Sequence, residues 1–217
     1  MNAKRSWAKL LAGPALLALL GVAAMTVDMP LAHWIKGKHY PNDAKKLFDL
    51  AEVFGHGFGA VFILFSVWVL APQARARLPR VMCAGLGAGI TGTVCKLFIA
   101  RQRPFRVVSF EIGSLETFGN WFPLFSNISA WQSFPSGHSA MAAGLAVGLT
   151  SLFPRGKWLF VGLTVLVLLQ RMFSTYHFLS DTLWGAAIGW LVASIIMSDR
   201  WLTRPFQRLE QRLSAQP

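Results

Sequence analysis

The sequence predicts an all-α membrane protein: six transmembrane helices bundled as a single domain over residues 1–217, with a short interfacial helix in the first outer loop. Three observations carry that expectation. Of 217 residues, 54% are hydrophobic and only 14% charged, at a mean hydropathy of +0.46, more apolar mass than a soluble domain of this length carries. The charges cluster, leaving several apolar runs long enough to cross a bilayer. The net charge of +12 sits in short segments flanking those runs, the pattern of membrane topology signals. That placement argues against the nucleic-acid partner a basic chain otherwise suggests.

Lys4, Arg5 and Lys9 precede the first apolar run, 10–27, read as a retained helix because no small-x-small cleavage site precedes a clearly polar start. Residues 28–52 are mixed and polar. There Pro41-Asn42-Asp43 is a turn and cap signal, and Leu47, Phe48, Leu50, Ala51 and Phe54 recur at helical spacing. A short amphipathic helix along the membrane surface follows, with Lys36, Lys38, Lys45 and Lys46 expected to meet lipid head groups or to lie on a solvated face. The second span, 57–71, ends in a basic turn at 72–80, and the third covers 81–100. The aromatic-rich loop 101–134 suits the head-group level, and its Asn127-Ile128-Ser129 is a glycosylation acceptor if the source is eukaryotic. Spans four to six cover 136–153, 158–175 and 181–197. A basic tail, 199–217, follows, with Arg200, Arg204, Arg208 and Arg212 on one helical stripe.

Most lysines and arginines lie at the N-terminus, in the turns 72–80 and 154–157, and in the tail. The positive-inside rule therefore places both termini in the cytoplasm. Glycines four apart (Gly55/Gly59, Gly85/Gly89, Gly144/Gly148, Gly185/Gly189) predict close helix packing. Gly87-Ala88-Gly89-Ile90-Thr91-Gly92 matches a dinucleotide-binding pattern but lies inside a span with no preceding strand, so that reading fails. Cys83 and Cys95 are about 18 Å apart on a helix, too far for a disulfide.

Three polar clusters fall on the same, outer, side by alternation of the spans. Lys96 and Arg103 close the third span two helical turns apart, followed by Pro104. Pro135-Ser136-Gly137-His138 opens the fourth; a helix starting at Pro135 with Ser133 as N-cap turns the N–H groups of Ser136, Gly137 and His138 outward as an anion site. Arg171, His177 and Asp181 join the last two spans. On a helix the Asp181 carboxylate reaches the His177 imidazole four residues away, and Arg171 joins them only if the chain bends at Ser174-Thr175-Tyr176. Three cations, a helix N-terminus and two histidines describe a site for phosphoryl transfer.

In order and spacing, Lys96-x6-Arg103-Pro104, Pro135-Ser136-Gly137-His138 and Arg171-x5-His177-x3-Asp181 resemble the three signature motifs of the type 2 phosphatidic acid phosphatase superfamily, on its integral membrane lipid phosphatase branch. One departure is Gln170, where that family usually has serine. The resemblance implies a lipid phosphatase in which His177 attacks phosphorus, Asp181 orients it and His138 protonates the leaving oxygen. Lys96, Arg103, Ser136, Gly137 and Arg171 would bind the phosphate. It further implies no cofactor and no metal, since no carboxylate cluster resembles a two-metal site and the cations would repel one. Phosphatidate, phosphatidylglycerol phosphate, an isoprenyl pyrophosphate and lipid A all remain open as substrates, as does oligomeric state. A phosphotransferase passing the group to another lipid, or a non-catalytic lipid-binding or transport protein, are the alternatives. The expected location is a bacterial inner membrane with the site facing the periplasm.

Overall fold

Helix α6 (Gly137–Leu152) is the element around which the others are arranged. The computed structural model, which describes residues 7–38, 41–124, 129–198 and 204–214, packs it against α5 (Leu78–Cys95), α7 (Lys157–Phe173) and α8 (Leu179–Ile196). Its composition explains the position: Ala140, Ala142, Gly144 and Gly148 are buried, and small side chains let several helices approach one at once. At 16 residues α6 rises only about 24 Å, less than the hydrocarbon thickness, which a helix enclosed by other helices tolerates.

The paired glycines do pack these helices. Gly85 and Gly89 of α5 face α6, Gly144 and Gly148 face α5, and Gly185 and Gly189 of α8 face α6. A Cβ on Gly185 or Gly189 would meet the carbonyl oxygens of Ser136 and Ala140, so α8 lies on α6 backbone to backbone. The dinucleotide-like run is inside α5, where Gly92 lets the first turn of α6 approach. Beneath the site, Phe54, Leu64, Val81, Leu145, Leu149 and Val167 form the core.

On the far side of α8 lies α1 (Trp7–Ala24), with Trp190 over Gly13 and Trp184 over Gly21. The chain then bends by 72° into α2 (Asp28–Lys36), a helix the sequence reading leaves inside the mixed segment. Its buried residues, Asp28, Met29, Ala32 and Ile35, share one face at helical spacing. The amphipathic helix is present as α3 (Asn42–Glu52), bent by 73° from α4 (Gly57–Leu70) through the turn Val53–Gly55. Leu47 and Leu50 of α3 are exposed, while Phe48 packs on Phe173 of α7 at 4.8 Å. Three helical stretches are long and apolar enough to cross a membrane, Pro72–Cys95, Pro154–Phe173 and Leu179–Ile196, and up to five if each bent pair counts as one span. The chain is a largely helical membrane protein.

One local expectation changes. The third span stops at Cys95 instead of continuing to 100, because the next residues enter β1 (Ile99–Arg101), antiparallel to β2 (Phe118–Trp121) within the long loop. In the tail, α9 (Arg204–Ser214) carries Arg204, Arg208 and Arg212 exposed. Lys4, Arg5, Arg200 and Asn127-Ile128 lie outside the described residues.

Candidate active site

The site begins with a reversal of the chain. After α7, Thr175 adopts φ 58°, left-handed backbone that a β-branched residue rarely takes. The Thr175 N–H donates to the Met172 carbonyl (2.8 Å) and the His177 N–H to the Arg171 carbonyl (3.2 Å). This is the bend expected between Arg171 and His177, and it folds His177 back over the helix end.

His177 is 4% exposed, and its Nδ1 lies 2.6 Å from the Ser133 carbonyl oxygen. A carbonyl only accepts, so Nδ1 carries the proton and Nε2 the lone pair. The expected helical pairing with Asp181 is indirect. His177 precedes α8, and its Nδ1 stands 3.9 Å from Asp181 Oδ2. Closer to that oxygen are the Ser133 hydroxyl (2.6 Å) and the Phe178 N–H (2.8 Å). Ser133, expected as an N-cap, instead bridges imidazole and carboxylate. Burial first, then the charges of Lys96, Arg171 and Arg103, hold the His177 pKa well below the ordinary imidazole value. The neutral ring is the resting form at pH 7.

Behind Asp181 lies a network absent from the sequence reading. Arg101 is fully buried between the Phe118 and Phe178 rings, its Cζ 4.6 and 4.3 Å from their centroids. Its Nη1 donates to Asp181 Oδ1 (2.5 Å) and Ser180 Oγ (2.7 Å). Its Nη2 donates to Asp28 Oδ2 (2.8 Å) and Ser114 Oγ (2.7 Å), and its Nε to Thr117 Oγ1 (2.9 Å). All five guanidinium N–H groups are thus engaged. The available signal was an acid directly after one apolar run and an arginine at the end of another, since charges at span ends are costly.

Around His177 stand the cations. Lys96 follows α5 by one residue, and the helical alignment expected with Arg103 is not realised; the chain reaches Arg103 through β1. Arg103 and Arg171 flank the Tyr176 ring, their Cζ atoms 5.2 and 5.1 Å from its centroid. Both Nε groups are buried and, among the described residues, have no hydrogen-bond partner. Burial, followed by the charge of Arg103, lowers the Lys96 pKa to about 8.

The second motif starts α6 two residues later than expected and caps it three residues later. The helix starts at Gly137, and the N-cap is Ser136, whose Oγ accepts from the Ser139 N–H (3.3 Å) and hydroxyl (2.9 Å). Ser136 is fully buried and its N–H donates to the Asp181 carbonyl (3.0 Å), which removes that N–H from the anion site. The N–H groups of Gly137 and His138 remain in the first turn, where a helix supplies no internal acceptor. His138 Nε2 lies 3.3 Å from Oε1 of Glu52, the last residue of α3 and a site residue the sequence reading did not single out.

These features define a largely helical membrane protein that gathers Lys96, Arg103 and Arg171 near a buried histidine. The chain belongs to the PAP2 superfamily, whose sequence profile matches residues 78–205. It is similar to the lipid A 1-phosphatase of Rhizobium johnstonii, 26% identical over 165 residues, covering 69% of this chain and 65% of that protein; the match thus spans just under two thirds of the relative. The lipid A 1-phosphatase of Rhizobium etli is equally similar, 26% identical over 69% of this chain and 68% of its own length. The crystal structure of Aquifex aeolicus LpxE shares the fold, with a TM-score of 0.60 at 22% identity over 79% of this chain and 94% of that one.

Proposed function

We propose that the protein is a metal-independent membrane lipid phosphatase that hydrolyses a lipid phosphate through a phosphohistidine on His177. The observation that carries this reading is the pair of buried Nε groups on Arg103 and Arg171, without a partner among the described residues, beside a neutral histidine. Buried donors without acceptors are costly, and a phosphate oxygen is an acceptor that suits their charge.

The His177 Nε2 lone pair attacks phosphorus, and the N–P bond forms as the P–O bond to the lipid breaks. His138 gives a proton to the leaving oxygen. The imidazole becomes cationic while it holds the phosphoryl group; the Ser133 carbonyl at 2.6 Å and the Asp181 carboxylate at 3.9 Å stabilise it. Water then attacks phosphorus and passes a proton to His138, the N–P bond breaks, and phosphate leaves. Lys96, Arg103, Arg171 and the Gly137 and His138 N–H groups neutralise its oxygens throughout. Ser136 shapes this turn as its cap.

The relatives' names make the 1-phosphate of lipid A the first substrate to try. In this reading α1, α4, α5, α6, α7 and α8 are six crossings of one domain, α3 lies along the surface, and the site faces outward. In a bacterium that is the periplasmic face, with both termini cytoplasmic. The test is phosphate release by detergent-purified protein from lipid A, phosphatidate, phosphatidylglycerol phosphate and isoprenyl pyrophosphate, with and without chelator. Free phosphate, unaffected by chelator, is expected from at least one lipid, and His177→Ala lowers the rate at least about a thousandfold. Unchanged release by that variant sinks the assignment. Loss of activity on chelation, restored by magnesium, removes the metal-free mechanism, and a phosphorylated lipid product in place of free phosphate means transfer.

A further inference from the structure

Glu52 brings a carboxylate into a site otherwise made of cations and histidines. Its Oε1 accepts from Arg171 Nη1 (2.6 Å) and faces His138 Nε2 (3.3 Å), while Oε2 accepts from Gln170 Nε2 (3.0 Å). The backbone that carries it is pinned. Ala51 and Phe54 are buried on either side, and Gly55 lies so close to the first turn of α6 that a Cβ there would stand 2.9 Å from the His138 carbonyl oxygen. Gln170 completes the hold, because its amide spans to the second carboxylate oxygen where a serine hydroxyl would fall short. The groups facing His138 are Glu52 and His56 beside the α3–α4 bend, Lys96 after α5, Arg103 in the loop and Arg171 on α7. Among the described residues Glu52 is the carboxylate paired with it.

We propose that Glu52 is the positioning residue of the acid–base histidine. It accepts the His138 Nε2–H, leaves Nδ1 to face the leaving oxygen, and stabilises the imidazolium that protonates that oxygen. The proton that moves is the one on Nδ1. It passes to the leaving oxygen as the P–O bond breaks and is replaced from the attacking water, while Glu52 keeps its Nε2–H bond in both half-reactions. This inference rests on the phosphatase reading above.

The experiment compares wild type, Glu52→Gln and Glu52→Asp on two probes, lipid A, which leaves as an alcohol, and p-nitrophenyl phosphate, whose leaving group needs little protonation. Without the carboxylate the imidazolium is less stable. Glu52→Gln therefore moves the alkaline limb of kcat down by about one pH unit and lowers kcat on lipid A about 10- to 100-fold, with a smaller loss on p-nitrophenyl phosphate. Glu52→Asp, which keeps the charge, keeps the limb. An unmoved limb with equal losses on both probes reduces Glu52 to a structural contact and overturns the proposal. A lower KM with unchanged kcat also overturns it, by making Glu52 a competitor for the phosphate position. Wild-type protein inactive on every phosphate would instead remove the phosphatase reading itself.

Discussion

Lys96 loses its proton near pH 8 because burial, and next the charge of Arg103, lower it from 10.5. As pH rises through 8 the substrate-free site gives up one of the three cations proposed to bind phosphate, and a substrate must then bind with the cost of returning that proton. KM is therefore expected to be flat below pH 8 and to rise about tenfold per unit above it, with kcat changing less. Lys96→Arg keeps its charge at every such pH and should abolish the rise; the same rise in that variant would assign it to another group. Stability has the opposite sign. Between about 8 and 10.5 the unfolded chain holds a proton at Lys96 that the folded chain has lost, so the substrate-free protein gains stability over that window. His177 sets the other edge: with its pKa well below the ordinary value, activity persists on the acid side past the point where a free imidazole would be half protonated.

At the scale of elements, the site depends on how closely α8 approaches α6. Gly185 faces the carbonyl oxygen of the cap residue Ser136, and Gly189 faces that of Ala140 one turn further on. Alanine at either position forces the helices apart and costs about 1–3 kcal/mol, read as a lower melting temperature in detergent. Gly185→Ala should also lower kcat in the folded fraction, because it displaces the backbone around the Ser136 N–H to Asp181 carbonyl bond; Gly189→Ala should lower stability with less effect on kcat. Equal effects of both on kcat would detach the cap from the chemistry. These contacts were legible in the sequence as glycines four apart, since small-residue spacing survives whatever the chain does around it. The three polar clusters were legible for the same reason: each motif is local. What spacing did not convey is the path between motifs. Lys96 and Arg103 read as one helical face because nothing in their separation shows that the backbone leaves the helix for β1. The imidazole's true partner, the Ser133 carbonyl, belongs to a backbone group that no residue type marks. Glu52 and Asp28 lie far from the motifs in sequence and become site residues only through the bends of 73° and 72° that bring α3 and α2 to the bundle.

For the whole molecule, two buried arginines secure opposite ends of α8, and they should fail differently. Arg101, at the N-terminal end, joins Asp181 to Asp28 at the start of α2. Arg80, 3% exposed, donates from Nε to the Ile196 carbonyl (2.8 Å) and from Nη2 to the Ser198 carbonyl (2.7 Å), and pairs with Glu210 of α9 at 3.4 Å. A cation at a helix C-terminus completes carbonyls that have no internal donor. Replacing Arg101 by Met leaves two buried carboxylates without their counter-charge and should cost about 3–5 kcal/mol. It also frees Asp181 from its fixed position behind Ser133 and His177, so kcat falls even below the melting temperature. Arg80→Met loses hydrogen bonds from a charged group, about 1.5–3 kcal/mol, but at a helix end about 22 Å from Asp181. Its kcat per folded molecule should stay at the wild-type value. Because their partners among the described residues do not overlap, their stability losses in the double variant should add to within about 0.5 kcal/mol, measured by thermal melting alongside phosphate release. A clear departure from additivity would mean that α8 transmits strain along its length, and that the site depends on α9 as well as on the residues around the phosphate.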